Sequence, residues 1–174
     1  ITIYHRGDLK RGDIVVFKFP KDPDIDYVKR VIGLAGDKIK LVDDVLFING
    51  TPQERVDHNF DRAFLDDITD HPEHKILFRE NLNGVSHWVI NNVPGARHMR
   101  LSNFPDYSGE YVVPKDTFFA IGDNRDGSND SRFWGPVPLS FVRGRAMFVL
   151  WSMYRPEDAL FPIFRFNRFG KWLP

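Results

Sequence analysis

The sequence, 174 residues long, contains no cysteine. That excludes a disulfide framework, thiolate catalysis and cysteine-based zinc sites. It has no charge excess, because 24 Lys and Arg residues offset 24 Asp and Glu residues. A global attraction to nucleic acid is therefore unsupported, and no nucleic-acid partner is expected. No apolar run reaches the roughly 18 residues that a bilayer-crossing helix needs. There is no signal-peptide pattern, internal repeat or low-complexity tract. Sustained helical periodicity is scarce as well; residues 60–68 could form a short helix and 138–142 one turn. What the chain does have is 42% hydrophobic residues and 16 Phe, enough for a packed core.

The apolar segments are short and read as strands: Val15–Phe19, Tyr27–Ile32, Val45–Ile48, His87–Ile90, Tyr111–Val113, Thr117–Ile121 and Ala146–Trp151. Gly, Pro, Asn and Asp separate most of them. The expectation is an all-β fold, mainly antiparallel. Residues 52–110 are more polar than their flanks. This predicts a discontinuous β core, residues 1–37 and 115–174, with a second β-rich domain, residues 38–114, inserted in it.

The richest stretch is 121–138, IGDNRDGSNDSRFWGPVP. It leaves an apolar strand and packs turn-forming residues at nearly every position from Gly122 to Ser131. Asp123, Asp126 and Asp130 require cations. Arg30, Arg125 and Arg132 can supply them, with Arg30 clamping Asp123 and Arg132 beside Asp130. An EF-hand reading fails: counting from Asp123 puts Arg125 at the third ligand position, and neither that register nor one starting at Asn124 ends in Glu. The histidines are scattered. His71-x-x-His74 is the only close pair and lies in a polar segment, so no metal and no cofactor are expected.

Within the strand Tyr27–Ile32, period 2 puts Tyr27, Lys29 and Val31 on one face and Val28, Arg30 and Ile32 on the other. A lysine in an apolar strand is either an edge residue pointing at water or a buried amine with a task. As a general base it would have to be neutral near pH 7, which requires a drop of ~3 units from its usual value.

Residues 121–138 resemble the C-terminal signature of type I signal peptidases (bacterial leader peptidases), membrane-bound Ser/Lys proteases. Three further stretches agree in order: KRGDIVVF at 10–17, YVKRVIGLAGD at 27–37 and LFING at 46–50. Ala35 departs from the family's usual proline, at a turn. The resemblance implies that Lys29 is the general base and that Ser128 orients its amine. Tyr27, Arg30, Gly122, Asp123, Asp130 and Arg132 would form the structure around them, and Ser131 would satisfy loop backbone groups. It further implies a periplasmic or extracytoplasmic domain of a cytoplasmic-membrane endopeptidase. Its partners would be signal peptides of secretory preproteins and the lipid bilayer surface.

The family's nucleophilic serine lies in a Ser-Met-x-Pro segment ahead of the stretch matched by 10–17. None of Ser86, Ser102, Ser108, Ser128, Ser131, Ser140 and Ser152 has that context. The expectation is that the nucleophile and a transmembrane anchor lie upstream of Ile1, leaving this chain inactive by itself. A non-catalytic relative that binds extended peptides by strand addition is the alternative. The aromatic, basic C-terminal part, from Trp151 to Trp172, is expected to pack partly into the core and partly against a membrane interface.

Overall fold

The structure, a computed structural model, describes residues 9–58, 64–65, 69, 71–93, 110–155 and 160–173. The fold is all-β, built from antiparallel sheets. A five-stranded sheet has the order β11 (Val137–Pro138), β10 (Thr117–Ile121), β2 (Asp22–Leu34), β1 (Ile14–Phe19), β12 (Val142–Arg145). A four-stranded sheet has the order β5 (Thr51–Pro52), β4 (Val45–Ile48), β3 (Lys38–Val42), β9 (Tyr111–Val112). A three-stranded sheet joins β6 (Glu54–Asp57), β7 (Lys75–Leu82) and β8 (Val85–Asn92); β13 (Met153–Tyr154) and β14 (Ile163–Phe164) form a small ribbon. Two hairpins close on Asn-Gly pairs. Asn49-Gly50 links β4 to β5 and Asn83-Gly84 links β7 to β8, all four residues having positive φ. Tight hairpin turns of matching twist demand such backbone, and Asn-Gly supplies it with least strain.

Strand β10 is buried on both faces, and its alternation divides the core. Phe118 and Ala120 join Leu9, Val15, Phe17, Val31 and Val137 on one side. Phe119 and Ile121 join Ile32, Ile39, Leu46, Ile48, Leu82 and Val113 on the other. The second cluster therefore welds the middle of the chain to the five-stranded sheet. Each fully buried Phe or Ile contributes about 1.5–3 kcal/mol, which makes β2 and β10 a firm base for side chains that project from them.

Two expectations about the ends of the sheet need correction. Residues 146–151 form no strand; the strand at that end is β12, which pairs with β1. Beyond it the chain bonds irregularly to the C-terminal stretch, through Val149 N to Lys171 O and Leu173 N to Met147 O, both 2.8–2.9 Å. Phe148, Leu150 and Trp151 are exposed there, so the apolar run marks a surface. Most C-terminal aromatics do likewise: Trp151, Phe161, Phe164, Phe166, Phe169 and Trp172 are exposed, while Tyr154 is half-buried. The turn expected at 138–142 is a 3-10 turn at Leu139–Phe141. The helix expected over 60–68 lies mostly outside the described residues, of which Phe64 and Leu65 are helical. Among the described residues no helix is long and apolar enough to cross a membrane.

Candidate active site

Lys29 extends from β2 on the face of the first cluster, beside Tyr27 and Val31. Its Nζ donates to Ser128 Oγ at 2.8 Å and sits 5.5 Å from the centre of the Tyr27 ring. That ring is fixed by stacking on Phe19 at 4.5 Å and by an edge contact with Trp134 at 6.4 Å. Lys29 is half-buried. Burial lowers its pKa; Asp130 and Asp123 push it up, Arg132 pushes it down, and the net direction is downward from 10.5. Desolvation favours a neutral amine, the form that can accept a proton.

Ser128 is 4% exposed and lies directly after the 3-10 turn Arg125–Gly127, in extended backbone. Gly122 makes room for it. A Cβ there would lie 2.7 Å from Ser128 Cβ, closer still to its Oγ, and 3.4 Å from Lys29 Nζ. Glycine at 122 is thus a steric requirement of the Lys29–Ser128 contact, with no backbone strain involved.

Ion pairs fix the loop on both sides of Ser128. Ahead of it, Arg30 grips Asp123 with two bonds, Nε to Oδ1 at 2.9 Å and the terminal nitrogen to Oδ2 at 2.8 Å; its remaining nitrogen donates to Gly12 O at 2.7 Å. Arg30 comes from the β2 face opposite Lys29, so one strand carries the amine and the clamp. Behind Ser128, Asp130 is fully buried and takes two bonds from Arg132 at 2.8 Å. It also accepts from the Gly122 amide at 3.0 Å and caps the short helix Ser131–Trp134 through the Arg132 amide. Removing either member of the Asp130–Arg132 pair strands a buried charge, at a cost of roughly 3–5 kcal/mol. Ser131 Oγ accepts from the Ala120 amide at 3.0 Å, away from Lys29. Asn129 donates to Tyr27 OH at 3.3 Å.

The middle of the chain adds groups that the sequence pattern did not single out. Glu80 on β7 is fully buried and ion-paired with Arg125. His87 on β8 lies 3.4 Å from Glu80 and 3.9 Å from Asp123. Ile90 N donates to Asp123 O at 2.9 Å and Asn92 N to an Asp126 oxygen at 2.6 Å. Glu80 lies two residues before core Leu82, on the same face of β7. The group His71, Glu73 and His74 is exposed; Glu73 is 3.4 Å from His71 and 3.7 Å from His74.

The remaining described serines are engaged elsewhere or exposed. Ser86 accepts from Arg79, Ser152 from Arg165, and Ser140 faces solvent. Ser102 and Ser108 fall outside the described residues. Among the described residues, Ser128 is the serine that meets Lys29. A half-buried, desolvated amine held to one acceptor can take a proton from a hydroxyl or water brought to it.

A family model described as "Signal peptidase, peptidase S26" matches residues 1–151. Signal peptidase I of Pseudomonas fluorescens is 37% identical over 94% of this chain and 56% of its own length. Signal peptidase I of Aquifex aeolicus (strain VF5) is 32% identical over 90% of this chain and 70% of its own. For signal peptidase I of Rickettsia typhi (strain ATCC VR-144 / Wilmington) the figures are 38%, 82% and 52%. The chain thus spans little more than half the length of the Pseudomonas and Rickettsia relatives. The solved signal peptidase I from Enterococcus faecalis V583 superposes with a TM-score of 0.48 at 24% identity, covering 80% of this chain and 97% of that one.

Proposed function

The chain belongs to the signal peptidase family, peptidase S26, and on that premise we propose that it supplies most of the catalytic domain of a membrane-bound serine endopeptidase that removes signal peptides from exported preproteins. The observation that carries the reading is the 2.8 Å contact between Lys29 Nζ and Ser128 Oγ in a half-buried site that lowers the lysine pKa. Neutral Lys29 takes the proton of a serine hydroxyl as that oxygen attacks the scissile carbonyl. The proton then passes to the departing amine, and water hydrolyses the acyl-enzyme. Ser128 aims the amine. Tyr27 and Gly122 shape its surroundings. Arg30, Asp123, Asp130 and Arg132 hold the loop.

The nucleophile in this reading is a serine outside residues 1–174. Support comes from the lack of a Ser-Met-x-Pro context around any serine here and from Ser128 being, among the described residues, the serine that meets Lys29 as its hydrogen-bond partner. The working unit is a β core of residues 1–37 and 115–174, with residues 38–114 as an inserted β domain. Supporting this division, every strand of the five-stranded sheet comes from 14–34 or 117–145. The site faces the periplasmic or extracytoplasmic side of the cytoplasmic membrane. The exposed aromatics between Trp151 and Trp172, interleaved with Arg165, Arg168 and Lys171, are suited to a lipid interface.

The test is direct. The full-length protein, given a purified preprotein, should release a mature product with one defined new N-terminus by mass spectrometry. A folded full-length protein that binds the preprotein without cutting it would overturn the enzymatic reading.

A further inference from the structure

We infer that Glu80 is a positioning residue for the Lys29–Ser128 pair, acting through Arg125 from the β7–β8 hairpin; the inference rests on the reading of Lys29 as the general base. A carboxylate is rarely taken out of water without a specific partner. Glu80 is fully buried, and its partner Arg125 is 3% exposed. Burial alone would raise the Glu80 pKa, but the Arg125 guanidinium and His87 hold it down at about 2. The fold thus favours the charged carboxylate, and that carboxylate is the ion-pair partner of Arg125.

The tether is attached at a telling place. Arg125 opens the turn Arg125–Gly127, and Ser128 follows that turn. The same hairpin reaches the loop at three neighbouring points. His87 faces Glu80 across the β7–β8 pair and approaches Asp123. Ile90 holds the Asp123 carbonyl. Asn92 holds the Asp126 carboxylate. The hairpin thus fixes positions 123, 125 and 126 ahead of Ser128. Arg132, gripped by Asp130 behind Ser128, donates back to the Arg125 carbonyl. Ser128 is suspended between the two anchors. Remove the Glu80 charge and Arg125 becomes an unpaired buried cation, which relaxes toward water and takes the turn with it. A misplacement of about 1 Å there is enough to lower the rate on the order of a hundredfold.

A purely structural ion pair would predict lower stability with unchanged chemistry per folded molecule. The experiment is a mutant cycle in the full-length protein. Glu80→Gln, Ser128→Ala and their double variant are assayed on a preprotein, with rates corrected for folded fraction by near-UV circular dichroism. Lys29→Met serves as reference. Glu80→Gln should lower kcat by at least about tenfold with KM within about twofold. The double variant should be little slower than Ser128→Ala alone, because both changes act through the aim of one hydroxyl. Should Glu80→Gln not fold, Arg125→Lys replaces it in the cycle, keeping the charge while losing the guanidinium. Wild-type kcat in the folded variant, or effects that multiply in the double variant, overturn the inference. A Lys29→Met protein that still cleaves overturns the underlying reading; an inactive Lys29→Met beside a fully active Glu80→Gln overturns the inference alone.

Discussion

Lys29 Nζ and Ser128 Oγ meet at 2.8 Å although the residues stand 99 apart in sequence. The contact exists because β2 and β10 are neighbours in register, Arg30 opposite Ile121. The loop leaving β10 is thereby delivered to the strand that carries the lysine.

Ser128→Ala and Ser131→Ala should separate rate from stability. Ser128 holds the amine, whereas Ser131 satisfies the buried Ala120 amide. Losing the latter partner should cost ~1–3 kcal/mol of folding free energy, lowering Tm by several degrees with kcat per folded molecule little changed. Ser128→Ala should do the reverse, with a small Tm change and a large loss of kcat/KM. Equal effects of the two variants on rate would rule out Ser128 as the lysine's special partner.

Gly122→Ala should cost more activity than an ordinary surface glycine substitution. The new methyl group would lie 2.7 Å from Ser128 Cβ and 3.4 Å from Lys29 Nζ, so the pair must part. We expect kcat/KM to fall at least about tenfold, with a stability loss of ~1–3 kcal/mol from overpacking. Unchanged kinetics would show that the contact is not needed for turnover.

These two predictions rest on groups that were legible in the sequence. Arg30 opposite Lys29, Arg132 near Asp130 and Ser128 in the turn follow from strand alternation and from the need of crowded carboxylates for cations. The all-β class was legible in the same local way, from short apolar runs separated by turn residues. Glu80 was not, because a lone acid in a polar segment looks like solvated surface until Arg125, 45 residues away, is seen to cover it. Strand β12 was hidden too: Val142-Arg-Gly-Arg has little apolar character, and pairing with β1 makes it a strand. The run 146–151 misled in the opposite sense, because hydrophobicity there serves a surface.

The depressed Lys29 pKa makes a prediction about stability. The folded protein disfavours the ammonium form, so that cost is present in full below the folded pKa and disappears as pH rises toward 10.5. Lys29→Met should therefore be more stable than wild type near neutral pH, and the gap should narrow as the solution is made alkaline. Thermal unfolding across a pH series checks it. A gap that widens with pH would mean that the folded state favours the charged amine.

Glu80 gives an acid-side counterpart. Its folded pKa of about 2 lies below the ordinary 4.5, so its stabilisation is present above pH 4.5 and is lost as pH falls through about 2. The difference corresponds to about 3 kcal/mol. Glu80→Gln should remove that part of the acid-unfolding slope. An identical acid profile in the two proteins would show that the carboxylate is not held in its charged form by the fold.

The central claim is that Lys29 acts as a base whose pKa is lowered by its site. Its most direct test is kcat/KM for preprotein cleavage by the full-length protein, measured against pH for wild type and for Lys29→Met. The account predicts a wild-type rate that rises with pH through an ionisation below 10.5. It also predicts a Lys29→Met rate lower by at least about a hundredfold at every pH, with the fold retained. A folded Lys29→Met protein within about tenfold of wild type, carrying the same pH limb, would contradict it.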